Sequence, residues 1–214
     1  MNNRELSPLD RLIVQFDGAL RATTGTMGTT ARPSPGAKIE PVELNPTSRQ
    51  RSASVMRVNH CGEVCAQALY QGQTLAARSP DVEQRMKDAA REEEDHLAWC
   101  ETRIKELDSH VSYLNPFWYT TSFALGAATG LLGDKISLGF VAATEEGVCK
   151  HLDDYMDRLP SEDVRSREIL AQMRTDESQH ATNALAAGGT RFPQPIKRLM
   201  HRVSGLMTGS AWWI

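Results

Sequence analysis

The chain has 214 residues, enough for one domain with a real core. Its net charge of −3 leaves no face committed to neutralising phosphates, which argues against a nucleic-acid partner. Four cysteines (Cys61, Cys65, Cys100 and Cys149) show no CxxC pair. They read as buried, reduced thiols rather than a zinc knuckle or a disulfide frame.

The opening MNNRELSPLD carries acids early and no apolar segment, so it reads as neither a secretory signal nor an Arg-rich transit peptide. Ser7-Pro8 is a helix start, after which Leu9, Leu12, Ile13, Phe16 and Leu20 recur on one face. Residues 22–50, with TTGTMGTTARPSPG and then Pro41 and Pro46, read as a linker that cannot hold a helix. Residues 1–50 therefore form an N-terminal amphipathic helix plus linker, and 51–214 the main domain.

Four long helices are predicted at roughly 51–78, 81–109, 134–159 and 161–187. Ser79-Pro80-Asp81 breaks the first pair and Leu159-Pro160-Ser161 the second, which makes two antiparallel hairpins. Between them, YLNPFWYTTSFALGAATGLLG must cross from one hairpin to the other. It is charge-free from Phe117 to Leu132, too short and too rich in Thr and Gly to span a bilayer. After Gly188-Gly189 comes a last amphipathic stretch. Strand signals are nearly absent, so the fold class is all-α, a ferritin-like four-helix bundle with an apolar crossover and a C-terminal amphipathic helix.

Each helix has a core stripe, and each stripe is interrupted at its middle by a glutamate. The first stripe runs Met56, Glu63, Ala66, Tyr70, Ala77, and the second Met86, Ala90, Glu93, His96/Leu97, Cys100, Ile104, Leu107. The third runs Leu138, Val141/Ala142, Glu145, Val148/Cys149, Leu152, and the fourth Leu170, Met173, Glu177, His180, Ala184. Four buried glutamates would cost several kcal/mol each unless protonated or bound to cations. Two divalent ions balance four carboxylates, and the histidines add nitrogen ligands.

Glu63 precedes Glu93 by 30 residues and Glu145 precedes Glu177 by 32, so each hairpin sets one lone Glu opposite one Glu-x-x-His. That is the ligand pattern of carboxylate-bridged di-iron and di-manganese bundles. The candidate metal ligands are thus Glu63, Glu93, His96, Glu145, Glu177 and His180. A single Glu-x-x-His on a solvated helix face carries no such weight; two in stripe register do. Glu92 and Asp176, each just before a ligand glutamate, could orient a histidine across the bundle. Glu94, Asp95 and Glu146 read as outward charges. His60 lies beside the stripe, in a capping or supporting part.

The segments N-H-C-G-E-V-C-A-Q-A-L-Y-Q-G-Q (59–73), R-E-E-E-D-H-L (91–97), A-T-E-E-G-V-C-K-H (143–151) and D-E-S-Q-H-A (176–181) together resemble the Coq7 family, the di-iron demethoxyubiquinone hydroxylases of ubiquinone biosynthesis. The resemblance covers about residues 50–214 and implies the same six ligands. Asn59 stands where the family usually has Asp, Cys61 and Cys65 where it has Ala and Gly, and Leu152 follows His151 where many members carry Tyr. These departures leave the ligands intact and bear on hydrogen bonding and electron delivery around the metals.

The resemblance implies a monooxygenase in which two Fe ions use O2 as co-substrate to hydroxylate a polyprenyl quinol ring. It also implies reduced nicotinamide as electron donor, acting through the bound quinone, since no GxGxxG fingerprint is present. A lipid-binding accessory protein of the ubiquinone pathway and a homo-oligomer are further partners it admits.

Such a substrate lives in the bilayer, and two segments suit a peripheral place on it. One is the crossover (about 113–133), with Phe117, Trp118, Tyr119 and Phe123. The other is the C-terminal stretch (about 192–214), where Ile196, Leu199, Met200, Val203, Leu206 and Met207 share a face, Lys197, Arg198, His201 and Arg202 lie off it, and Trp212-Trp213 close it. The expected location is the cytoplasmic face of the bacterial inner membrane. The same C-terminal face would also serve intramolecular packing or a subunit interface. Rival readings are a non-catalytic ferritin-like iron-binding bundle, a manganese catalase or a tRNA hydroxylase. Ligand type alone does not separate manganese from iron, whereas the lack of a basic patch counts against tRNA.

Overall fold

A computed structural model of the chain describes residues 8–26 and 30–214. Ser7 and the side chains of Leu9 and Leu12 lie outside the described residues. The elements in order are α1 (Pro8–Thr24), a 3-10 turn (Pro35–Lys38), α2 (Pro46–Ala76), α3 (Pro80–Glu106), α4 (Asn115–Leu131), α5 (Asp134–Met156), α6 (Val164–Ala186) and α7 (Gln194–Ala211). The described residues contain helices and no strand, and the architecture is the ferritin-like bundle of α2, α3, α5 and α6.

Local chemistry explains the boundaries. Pro46 and Pro80 sit in the first turns of α2 and α3, where a missing N–H costs nothing. Asn45 accepts the Ser48 N–H at 2.9 Å, capping α2 five residues ahead of the expected start, inside the segment taken for linker. The proline that looked like a breaker is thus a helix initiator. Asp163 caps α6 through the Ser166 N–H (3.1 Å) and is tied to Arg103 of α3 at 2.9 Å. Asp81 and Glu83 open α3 while Arg103 and Lys105 close it, each complementing the helix dipole.

The crossover is itself a helix, α4, packed along α2. Its glycines, which in the sequence counted against a bilayer span, permit the contact. A Cβ on Gly72 would run into the Phe123 carbonyl, and one on Gly126 into that of Leu69. No described helix is long and apolar enough to cross a membrane.

The core is in two apolar parts. One gathers Val55, Met56, Val58, Trp99, Cys100, Ile104, Leu152, Leu170 and Met173. The other gathers Ala66, Tyr70, Met86, Leu138, Val141 and Ala184. Along every bundle helix the glutamate lies between residues of the first part and residues of the second. The stripe is therefore continuous in space, with a polar layer held between two dry ones.

Candidate metal centre

The bundle brings all six predicted ligand residues into that layer, each buried. One ligand atom from each of Glu63, Glu93, His96 and Glu177 lies within 4.8 Å of the other three, and the same holds for Glu93, Glu145, Glu177 and His180. The two groups share Glu93 and Glu177.

Both histidines turn Nδ1 inward. His96 Nδ1 is 3.1 Å from Glu93 Oε2 and 3.1 Å from Glu177 Oε1. His180 Nδ1 is 3.0 Å from Glu177 Oε2 and 3.4 Å from Glu93 Oε1. Both turn Nε2 outward onto a carboxylate from across the bundle: His96 onto Asp176 at 3.0 Å, His180 onto Glu92 at 2.9 Å. Glu92 and Asp176 thus have the orienting positions the sequence suggested. With Nε2–H donating to a carboxylate, Nδ1 is the nitrogen that faces the layer and would offer its lone pair once the imidazole is neutral.

The electrostatics are those of acids and imidazoles crowded into one dry layer. Burial pushes the Glu63 carboxyl well above its ordinary range, helped by repulsion from Glu93 and Glu177. Burial does the same to Glu145, helped by Glu177 and Glu93, although the Tyr70 hydroxyl donates to its Oε1 at 2.7 Å. Burial acts to lower His96 and His180, yet the surrounding carboxylates win, raising His96 well above neutrality and His180 to about 12. Burial works against ionising Glu93 as well, and its bonds to His180 and His96 overcome this and hold it low.

Oε2 of Glu145 is buried without a hydrogen bond, and Oε1 of Glu93 and Oε1 of Glu177 meet only a histidine Nδ1, at 3.4 and 3.1 Å, outside hydrogen-bond geometry. Carboxylate oxygens so poorly partnered in a dry core are costly. Oxygen and imidazole donors in two overlapping groups of four fit a pair of divalent first-row ions, and binding them would satisfy these oxygens. A cavity of about 220 Å³, lined by Tyr70, Met86, Glu92, Leu138, Val141 and His180, opens beside the His180 half.

Other expectations fare differently. Glu94 is exposed, and Glu146 is exposed and bonded to Lys197 of α7. Asp95, expected to face outward, is instead buried at 3% exposure, receiving the Ala31 N–H and the Arg32 side chain. The reason is that residues 30–39 fold back over α3 and α6, bringing a basic partner that helix periodicity does not show. Arg32 is the residue sequence reasoning missed. His60 is buried 3.5 Å from Asn115 Nδ2 and belongs to neither ligand group; burial, with Lys105 nearby, lowers it to about 3. All four cysteines are free, with Cys61 and Cys100 buried and the other two partly so.

The C-terminal face is divided. Met207 and Ala211 are buried in the core, Trp118 of α4 donates to Ser210 at 3.2 Å, and Arg57 donates to the Trp212 carbonyl at 3.3 Å. Ile196, Leu199, Val203 and Leu206 remain exposed. The end of α7 is part of the fold, while its middle offers an apolar surface.

The chain is similar to proteins of known name along its whole length. A relative from Ectopseudomonas mendocina (strain ymp), named 3-demethoxyubiquinol 3-hydroxylase, is 54% identical over 213 residues, covering 100% of this chain and 99% of its own. Relatives of the same name from Stutzerimonas stutzeri (strain A1501) and Pseudomonas aeruginosa (strain LESB58) are each 55% identical, over 100% and 99% of this chain respectively and 99% of their own lengths. A sequence model described as ubiquinone biosynthesis protein COQ7 matches residues 50–211, and the chain belongs to that family.

Proposed function

We propose that this chain is a di-iron monooxygenase that hydroxylates the ring of a demethoxyubiquinol-type polyprenyl quinol with O2, in line with the name 3-demethoxyubiquinol 3-hydroxylase that its relatives carry. The observation that carries the reading is the pair of four-residue groups sharing Glu93 and Glu177 in one buried layer. Glu63 and His96 would complete one metal position, Glu145 and His180 the other. Two ferrous ions there would supply the electrons and open coordination positions that O2 activation requires.

The protein's own part is positional. Asp176 and Glu92 hold the imidazoles through Nε2–H, fixing the tautomer and aiming Nδ1. Tyr70 holds Glu145 through Oε1 and leaves Oε2 without a partner, so that this oxygen would be free for a metal ion. The apolar residues on either side of the layer exclude bulk water, which strengthens these contacts and protects the chemistry from side reactions.

Family membership favours this reading over the storage, catalase and tRNA alternatives. A polyprenyl substrate also gives a use to the exposed Phe117, Leu131 and Leu132 at α4 and Leu199, Val203 and Leu206 of α7, which suit peripheral contact with a bilayer. Lys197, Arg198 and Arg202 beside them favour an anionic leaflet, as on the cytoplasmic face of a bacterial inner membrane. Reduced nicotinamide is the proposed electron source.

The test is anaerobic loading with iron, then reaction of demethoxyubiquinol analogue with isotopically labelled O2. One labelled oxygen on the quinol ring is expected. Oxygen consumption with no label in the quinol, or zinc that iron cannot displace, would overturn the proposal.

A further inference from the structure

The two halves of the metal layer are supported unequally. His180 leans on Glu92, whose side chain is 50% exposed and, among the described residues, has no Lys or Arg paired with it. His96 leans on Asp176, which is 12% exposed and belongs to a longer chain of contacts. Arg32 Nη1 donates to the same Asp176 Oδ2 at 2.9 Å, and Arg32 Nε to Asp95 Oδ2 at 3.0 Å. Gln172 donates to the other Asp176 oxygen at 2.9 Å.

The guanidinium lies 4.9 Å over the Trp99 ring, and the Trp99 indole N–H donates to the Arg32 carbonyl at 3.2 Å. Trp99 in turn packs 5.3 Å from the His96 ring. The backbone is pinned too: the Ala31 N–H reaches Asp95 Oδ1 at 2.7 Å, and Arg165 of α6 donates to the Ile39 carbonyl at 2.7 Å.

A planar fork that spans two carboxylates and stacks on an indole is a task for Arg and not for Lys. It fixes Asp176 where two acids, Asp95 and Asp176, converge, and so fixes what His96 leans on. Arg32 comes from a strap ahead of residues 50–211, the part that matches the family model.

We infer that Arg32 is a positioning residue for the metal site, acting through Asp176 on His96, so that the strap stiffens the ion position of Glu63 and His96 and leaves that of Glu145 and His180 looser. This rests on the reading that the six residues hold two metal ions. Outer partners of ligating histidines are worth about tenfold to a hundredfold in metal affinity.

The experiment is anaerobic Fe(II) titration of the full chain, with Mössbauer spectra of the loaded protein, for wild type, R32A, R32K and E92Q. R32A should weaken one ion by about tenfold to a hundredfold, leave the other at wild-type affinity and shift one ferrous environment. R32K should fall between, because it keeps charge but not the fork, and it carries the test if R32A does not fold. E92Q should weaken the opposite ion. Two unchanged affinities in R32A would overturn the inference. So would equal weakening of both ions with a lower melting temperature of the metal-free protein, since Arg32 would then only hold the strap to the fold. A wild-type chain that binds fewer than two ions would instead sink the metal reading itself.

Discussion

Replacing Leu199, Val203 and Leu206 of α7 with serine should detach the protein from lipid without unfolding it. These side chains are 61%, 49% and 68% exposed, together nearly two full side chains of apolar surface. At about 2 kcal/mol per buried aliphatic side chain, the loss is ~4 kcal/mol of membrane affinity, or roughly a thousandfold in partitioning. The basic residues contribute differently. Lys197 is paired with Glu146, so Arg198 and Arg202 are the main charges left for anionic lipid, at about 1 kcal/mol each. R198Q/R202Q should therefore cost roughly thirtyfold on anionic vesicles at low salt, and nearly nothing on neutral vesicles or at high salt.

The assay is co-sedimentation with vesicles of both compositions across a salt series, beside turnover of long-tailed and short-tailed quinol. The serine variant should keep its melting temperature and its short-tail turnover while losing binding and long-tail turnover. Unchanged vesicle binding would refute the reasoning and show that this face covers something other than lipid. Truncation after Gly189 is a poorer test, because it also removes Met207 and Ala211 from the core.

Three further outcomes follow from the buried layer. E177Q should weaken both ions and lower turnover at least about a hundredfold with helical content intact by circular dichroism, because Glu177 belongs to both ligand groups. Glu63, Glu145, His96 and His180 all have folded-state pKa values above their ordinary ones, so their contribution to the metal-free fold is full below the unfolded values and lost as pH rises through the folded ones. The metal-free melting temperature should thus fall as pH rises from about 5 toward the folded value of about 12 for His180, and calorimetry in buffers of different ionisation enthalpy should show about two to four protons released on loading; loading without proton release would contradict this. Y70F should strip Glu145 of its 2.7 Å bond and destabilise the fold by about 1–3 kcal/mol in chemical denaturation, whereas an unaltered midpoint would mean that the bond is not formed in solution.

The sequence determined the bundle and its ligand layer because both are periodic. A glutamate in the middle of an apolar stripe is costly wherever the helix goes, and four such interruptions with histidine three residues on twice leave little but a pair of cations to resolve the cost. Glu92 and Asp176 were legible only as candidates for orienting a histidine; the fold decided that each reaches one, whereas Glu94, also beside a ligand residue, faces solvent.

What periodicity does not encode is where irregular chain lies. The α4 helix depends on backbone approach at Gly72 and Gly126, and nothing in the sequence tells that these two glycines meet the facing helix. The burial of Asp95 and the contact of Arg32 with Asp176, 144 residues apart in sequence, depend on a strap whose prolines and glycines set no period. The split of α7 between core and exposed surface likewise waits on what packs beneath it. A repeating pattern states which face of a helix must be buried; only the folded chain decides which non-repeating residue is brought to meet it, because that contact is fixed by tertiary packing and not by any local preference of the residues that make it.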